Sequence, residues 1–145
     1  MQNFDLLVIG GGSGGVATAN RAASYGAKVA IFENHKLGGT CVNVGCVPKK
    51  IMWSAANLKH SVDESIDYGF NVVNKSFEWK TLKTKRDQYI ERLNGLYKNG
   101  LKTNNVTMIN EFARFIDKQT ISAGGESFHA KNIVIAVGGR PTVPE

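Results

Sequence analysis

The chain has 145 residues, of which 42% are hydrophobic, and it contains sixteen glycines and three prolines. This length predicts one domain, and the composition favours an ordered α/β protein with tight turns over a low-complexity chain. The net charge of +6 suits anionic ligands, but without an aromatic and glycine recognition motif it does not indicate nucleic-acid binding. No apolar run is long enough for a membrane span.

The N-terminal residues lack the features of a targeting segment. Residues 1–5 contain neither a charged n-region nor a cleavage-site pattern. The first predicted strand follows at once, which leaves no room for a transit peptide. We therefore expect a cytoplasmic protein without membrane association, in which a persistent disulfide would be catalytic or redox-sensing.

The first predicted elements form a strand, a glycine-rich turn, a helix and a second strand. Residues 4–9 are apolar except for Asp5, which is typical of a strand buried on both faces. The next six residues, GGGSGG, match G-x-G-x-x-G through Gly10, Gly12 and Gly15. A helix with a small-residue face should then run to a glycine cap at Gly26, followed by a strand over residues 28–32.

Glu33 follows the second predicted strand, about twenty residues after the glycines, as in dinucleotide-binding folds. Glycines let the backbone approach a pyrophosphate, and a helix N-terminus attracts its charge. The Glu33 carboxylate can accept hydrogen bonds from ribose hydroxyls. Because the motif follows a strand, opens a helix and has its acid in place, a glycine turn without a ligand is the weaker interpretation.

Both cysteines of the chain, Cys41 and Cys46, lie in the segment GGTCVNVGCVPKK, which covers residues 38–50. A disulfide that closes so small a ring stabilises a fold by only about 2 kcal/mol, so the spacing favours a reactive pair over a structural one. We predict that Thr40 caps a helix beginning near Cys41, and a helix N-terminus would lower the thiol pKa. Lys49 and Lys50 would add positive potential.

Two alternatives to a redox pair remain open at this point. The cysteines could be buried and reduced, or they could bind zinc with two further ligands. His35 and His60 are the nearby candidates for such ligands, but their spacing fits no usual zinc pattern.

The rest of the chain predicts a pair of helices and then a group of strands. A helix is expected over residues 51–58, a turn over 67–71, and a long helix from about 76 or 77 to about 99. Within the long helix, core packing is favoured for Tyr89, and Tyr97 is left undecided. Short strands are predicted at residues 106–109, 111–116, 120–123 and 127–130, with a hairpin turn at Gly124-Gly125, and a buried strand at 132–137.

The cysteine segment and the dinucleotide motif together resemble the flavoprotein disulfide reductases, which are pyridine nucleotide-disulfide oxidoreductases. Within them, the cysteine segment is similar to glutathione and trypanothione reductases, as are residues 51–53, residues 67–70 and the Arg92-Leu93-Asn94 stretch that precedes Tyr97. The resemblance covers all 145 residues. It implies a Rossmann-like FAD-binding domain with a parallel sheet, a long helical pair and a small antiparallel β-meander.

The resemblance also implies roles for individual residues. Cys46 matches the thiol next to the flavin, Cys41 the thiol that attacks the substrate disulfide, and Lys49 a lysine near the reactive flavin nitrogen. Glutathione contacts are implied for Ser13 and Tyr97, whereas Asn20 departs from an arginine found in some relatives. The positions implied to contact FAD are Gly10, Gly12, Ser13, Gly14, Gly15, Glu33, Gly39, Thr40, Cys41, Cys46, Lys49, Ala113, Ala136 and Gly138.

The implied function is that of the first FAD-binding segment, residues 1–145, of an enzyme that converts glutathione disulfide and NADPH into two glutathione molecules. The enzyme would be a homodimer that uses FAD and no metal. Its NADPH, second FAD and dimer-interface regions are expected after Glu145, so we expect the 145-residue chain alone to be inactive. The alternatives are a trypanothione reductase or related flavoprotein, and a non-enzymatic nucleotide-binding redox sensor.

Overall fold

A computed structural model of the chain describes residues 1–73 and 76–145. In these residues, the helices are α1 (Ser13–Ser24), α2 (Gly39–Asn43), α3 (Cys46–Glu64) and α4 (Trp79–Thr103), and a short 3-10 helix spans Ser65–Tyr68. The strands are β1 (Gln2–Ile9), β2 (Val29–Phe32), β3 (Thr107–Ile109), β4 (Arg114–Phe115), β5 (Thr120–Ala123) and β6 (Glu126–Ile135). The predicted α/β class is confirmed.

The described strands form one six-stranded sheet in the order β3-β2-β1-β6-β5-β4. The first four strands in this order are parallel, and β5 and β4 continue the sheet as antiparallel strands. The predicted meander is therefore part of the main sheet. Phe128 connects the two regions, because it pairs with Gln2 of β1 on one side and with Ile121 of β5 on the other.

β1 lies at the centre of the core because its side chains are covered on both faces. The neighbouring residues Leu7 and Val8 point to opposite faces, and both are fully buried. Leu7 packs in a cluster with residues of β2, β5 and β6, whereas Val8 packs with α1 and with Leu101 of α4. The prediction of a strand buried on both faces is confirmed.

β6 differs from the predicted strands in two respects. Instead of two strands at residues 127–130 and 132–137, one strand continues through Lys131, because β6 pairs with β1 in the same register before and after this residue. Its last part is also not buried. Ile135 is 65% exposed and Val137, just beyond the strand, is 67% exposed, since no described element packs over them.

The helical pair is longer than predicted. α3 extends well beyond residues 51–58, and in the described chain none of its residues is buried. α4 begins at Trp79 and continues past residue 99, because Leu101 is anchored in the core. The core packing predicted for Tyr89 is wrong, since Tyr89 is exposed and its neighbour Ile90 is buried instead. None of the described helices is long and apolar enough to cross a membrane.

Candidate functional site

Two glycines at the junction of β1 and α1 are required by the packing of the chain itself. Gly10 has a φ of +107°, and a Cβ atom on it would lie 2.3 Å from the carbonyl oxygen of Ala136. A Cβ atom on Gly15 would lie 1.8 Å from the carbonyl oxygen of Gly10. Any side chain at either position would therefore push α1 or β6 away from the end of β1.

Two further glycines at the start of α1, Gly12 and Gly14, are not explained by internal packing. A Cβ atom on Gly12 would approach only Gly39, at 3.7 Å, and one on Gly14 would meet no described atom within 4 Å. Gly12 occupies the N-cap position of α1, and the first turn contains Ser13, Gly14 and Gly15. Small residues here leave the first amides of α1 accessible, and such amides attract anions.

Glu33 is fixed at the end of β2 by two backbone amides. Its Oε2 accepts a hydrogen bond from the amide of Gly11 at 2.8 Å, and its Oε1 accepts one from the amide of His35 at 2.9 Å. Each carboxylate oxygen can accept more than one hydrogen bond. The carboxylate is therefore held in one orientation and keeps the capacity to accept from a ligand.

Two adjoining cavities form a groove along the ends of the parallel strands. The strand-end cavity, of about 560 Å³, lies between the ends of β1 and β2 and the loop after β3. The glycine-loop cavity, of about 580 Å³, extends over the start of α1 to Cys41. Both are lined by Gly10, Glu33, Val137 and Gly138, so they are continuous. We refer to the two cavities together as the groove.

Most of the cofactor-binding residues expected from the sequence lie along this groove. Those that line it are Gly10, Gly12, Ser13, Gly14, Glu33, Gly39, Thr40, Cys41, Ala113, Ala136 and Gly138. Gly15, Cys46 and Lys49 lie outside both cavities. Tyr97 also lies outside them and packs against the core cluster beneath α1.

The predicted cofactor contacts leave out several groove residues, among them His35, Glu111 and Arg140. The position of two of them in the sequence indicates a ligand site. Ligands in parallel sheets bind beyond the carboxyl ends of the strands, and His35 and Glu111 follow the parallel strands β2 and β3 within three residues.

The two cysteines lie on different helices. Cys41 is in the middle of α2 and is half-buried, whereas Cys46 is the first residue of α3 and is exposed. Both are free thiols in the structure, so the disulfide stays a prediction. The capping role predicted for Thr40 is wrong, because α2 begins at Gly39, two residues before Cys41, and Gly38 occupies its N-cap position.

The interaction between the two thiols shifts the pKa of Cys41 in the direction opposite to the predicted one. The hydrogen bond with the Cys46 side chain, then burial, then the charge of Cys46 raise the pKa of the Cys41 thiol above its ordinary value. The charge of Lys49 acts against this rise. The Lys50 ammonium instead lies 3.9 Å from the centre of the Trp53 ring. The predicted lowering of the Cys41 pKa is therefore wrong.

The described residues contain no group of three or more histidine, cysteine or acidic side chains that could hold a metal ion. His35 lines the strand-end cavity, and His60 lies on α3. Nothing in this part of the chain supports the zinc alternative for the cysteines.

Comparison with known proteins agrees with this geometry. The family described as pyridine nucleotide-disulphide oxidoreductase matches residues 4–145. The chain belongs to this family. One relative of this oxidoreductase chain is the glutathione reductase of Yarrowia lipolytica, which is 43% identical to it over an alignment of 159 residues. The alignment covers the whole chain and 34% of the relative. The chain thus spans about a third of the length of that curated protein.

The raised pKa of Cys41 leads to a prediction about thiol reactivity. We expect the alkylation of Cys41 in the reduced chain to reach its midpoint at a higher pH than in an ordinary cysteine, because only the thiolate reacts. Cys46→Ala should move this midpoint to lower pH, since it removes the main cause of the rise. Lys49→Ala should move it to higher pH. Alkylation rates of the Cys41 peptide, followed by mass spectrometry across pH, measure these shifts.

Lys50→Ala is the matched control for the alkylation experiment, because this lysine lies on the Trp53 ring. It should leave the midpoint unchanged. A midpoint that stays fixed or rises in Cys46→Ala would contradict the electrostatic account.

Proposed function

We propose that this chain is the FAD-binding, redox-disulfide-bearing part of an NADPH-dependent glutathione-disulfide reductase. The observation that carries the proposal is the groove, which connects Glu33, the open start of α1 and Cys41. The proposed dinucleotide-binding site and the Cys41 thiol would thus share one surface. The similarity to a curated glutathione reductase supports this choice of substrate.

FAD would lie along the groove with its chemical groups in order. Glu33 would accept hydrogen bonds from the adenosine ribose, with the adenine in the strand-end cavity. The amides of Ser13 and Gly14 would hold the pyrophosphate, since Gly12 and Gly14 leave room for it. The remaining half would extend past Thr40 towards Cys41. When bound, the flavin would supply two-electron redox chemistry.

We assign thiol–disulfide exchange to the cysteine pair. The Cys41 thiolate would attack one sulfur of glutathione disulfide, forming a mixed disulfide and releasing one glutathione thiolate, which takes a proton. Cys46 would then attack the Cys41 sulfur, releasing the second glutathione and closing the Cys41–Cys46 disulfide. Lys49, whose charge acts on Cys41, would favour the thiolate form of the pair.

The whole protein would supply the parts of the reaction that this chain does not carry. We propose that residues 1–145 are its first FAD-binding segment and that further regions bind NADPH, complete the FAD site and form a homodimer. Ser13 and Tyr97 are proposed glutathione contacts, and the proposed compartment is the cytoplasm. The coverage of about a third of the relative supports this division.

The ribose contact leads to a prediction about FAD affinity. Glu33→Gln should weaken the binding of FAD and of ADP by about ten- to a hundredfold, because a charged hydrogen bond contributes roughly 1.5–3 kcal/mol. FMN lacks the adenosine ribose, so its binding should be unchanged. Fluorescence or calorimetric titration of the chain measures these affinities.

Glu91→Gln is the matched control for charge in the affinity experiment, because Glu91 is an exposed residue of α4 away from the groove. It should bind FAD like the unaltered chain. Equal FAD affinity in Glu33→Gln and the unaltered chain would refute the ribose assignment.

The assignment of the attacking thiol leads to a prediction about a trapped intermediate. Cys46→Ala, incubated with glutathione disulfide, should accumulate a mixed disulfide between Cys41 and glutathione, because no second thiol is present to displace it. Cys41→Ala should accumulate much less at Cys46. Peptide mass spectrometry identifies the modified cysteine, and preferential modification of Cys46 would contradict the assignment.

A further inference from the structure

Two asparagine side chains connect α4 to the segment that carries Cys41. The Nδ2 atom of Asn94 donates to the carbonyl oxygen of Leu37 at 2.7 Å and to Oδ1 of Asn43 at 3.0 Å. The Nδ2 atom of Asn43 donates to the carbonyl oxygens of Leu37, at 3.1 Å, and of Gly39, at 2.9 Å. We call Asn43, Asn94 and the Leu37 carbonyl the asparagine bridge.

The chemistry of the asparagine bridge permits one orientation of its two amides. The Leu37 carbonyl can only accept hydrogen bonds, so both side chains must direct their NH₂ groups towards it. The second N–H of Asn94 then meets the Oδ1 atom of Asn43. Each amide is thereby oriented by the other, and the contact joins residues that are 51 positions apart in the sequence.

α2 depends on such contacts because it cannot be stable alone. It has five residues, far fewer than an isolated helix needs in water. Gly38, at its start, donates a backbone hydrogen bond to Gly11 at 2.8 Å. Val42 is buried near its other end, and Val44, just beyond that end, is 78% exposed. The side chain of Asn43 adds the polar attachment there.

The position of α2 determines where the two sulfurs lie relative to each other. Cys41 is on α2 and Cys46 begins α3, and the two residues before Cys46, Val44 and Gly45, are outside both helices. A shift of α2 would therefore change the separation of the sulfurs without unfolding α3. α4 is a rigid support for α2, since Leu101 anchors it in the core.

We propose that Asn94 is a positioning residue for the Cys41–Cys46 pair, acting through Asn43 to hold α2 so that the two sulfurs stay within reach of each other. This inference rests on the proposed function, in which the pair cycles between dithiol and disulfide. It adds a residue of α4 that lines neither of the two groove cavities.

The first test measures the disulfide equilibrium of the full 145-residue chain in a glutathione redox buffer. Asn94→Ala should lower the equilibrium constant for closing the Cys41–Cys46 disulfide about fivefold, the factor that one net hydrogen bond of about 1 kcal/mol provides. The reason is a lower effective concentration of one thiol near the other. Quantifying alkylated and disulfide-linked peptides gives the constant.

Asn104→Ala is the matched control, because Asn104 also makes an amide–amide contact from the end of α4. Its Nδ2 atom donates to Oδ1 of Asn20 on α1 at 2.8 Å, away from the cysteines. Asn104→Ala should cost similar stability and leave the disulfide equilibrium unchanged. Equal shifts in the two variants would overturn the inference, as would no shift in Asn94→Ala.

A second measurement does not depend on disulfide formation. In the reduced chain, Asn94→Ala should alkylate faster at the half-buried Cys41 than the unaltered chain or Asn104→Ala, and Asn94→Asp, which has the same shape without the donor hydrogens, should behave like Asn94→Ala. If the unaltered chain forms no disulfide, the proposed function fails, but the alkylation rates still decide the positioning role. Unchanged Cys41 alkylation in a folded Asn94→Asp chain would overturn it.

Discussion

The close contact between α1 and the turn that precedes it determines the geometry of the site. Because a Cβ atom on Gly15 would lie 1.8 Å from the Gly10 carbonyl, only glycine lets α1 begin directly on the end of β1. This contact directs the N-terminus of α1 towards the edge where the parallel strands end. The remaining parts of the groove are assembled against this junction.

Each of these parts is attached to the glycine turn by a specific contact. The Glu33 carboxylate accepts a hydrogen bond from the Gly11 amide. The Gly11 carbonyl accepts one from the amide of Gly38, at the start of α2. The acid where the two cavities meet and the cysteine helix at one end of the groove are thus bonded to a single residue. A change in the turn would move both of them together.

The parts of the fold that sequence predicted well are those determined by local pattern. The buried run of β1, the glycines and the cap at Gly26 each follow from neighbouring residues, and the structure has β1, α1 and β2 nearly where they were expected. Most predicted FAD contacts line the groove for the same reason, since they lie in the turn or directly after strands.

The features that sequence did not predict depend on contacts between distant residues. α4 continues to Thr103 because Leu101 packs in the core, and β6 is continuous because β1 pairs along it. The pKa of Cys41 was expected to be lowered by a helix start, but its hydrogen bond with Cys46 raises it. The contact between Asn43 and Asn94 has no local signal at all.

The central claim, that one groove binds FAD from Glu33 to Cys41, is tested most directly by amide NMR spectra of the isotope-labelled chain during titration with ADP and with FAD. Both ligands should shift the amides of Ser13, Gly14 and His35, and FAD alone should also shift those of Thr40 and Cys41. Shifts confined to other surfaces, or identical shifts with the two ligands at Thr40 and Cys41, would contradict the account.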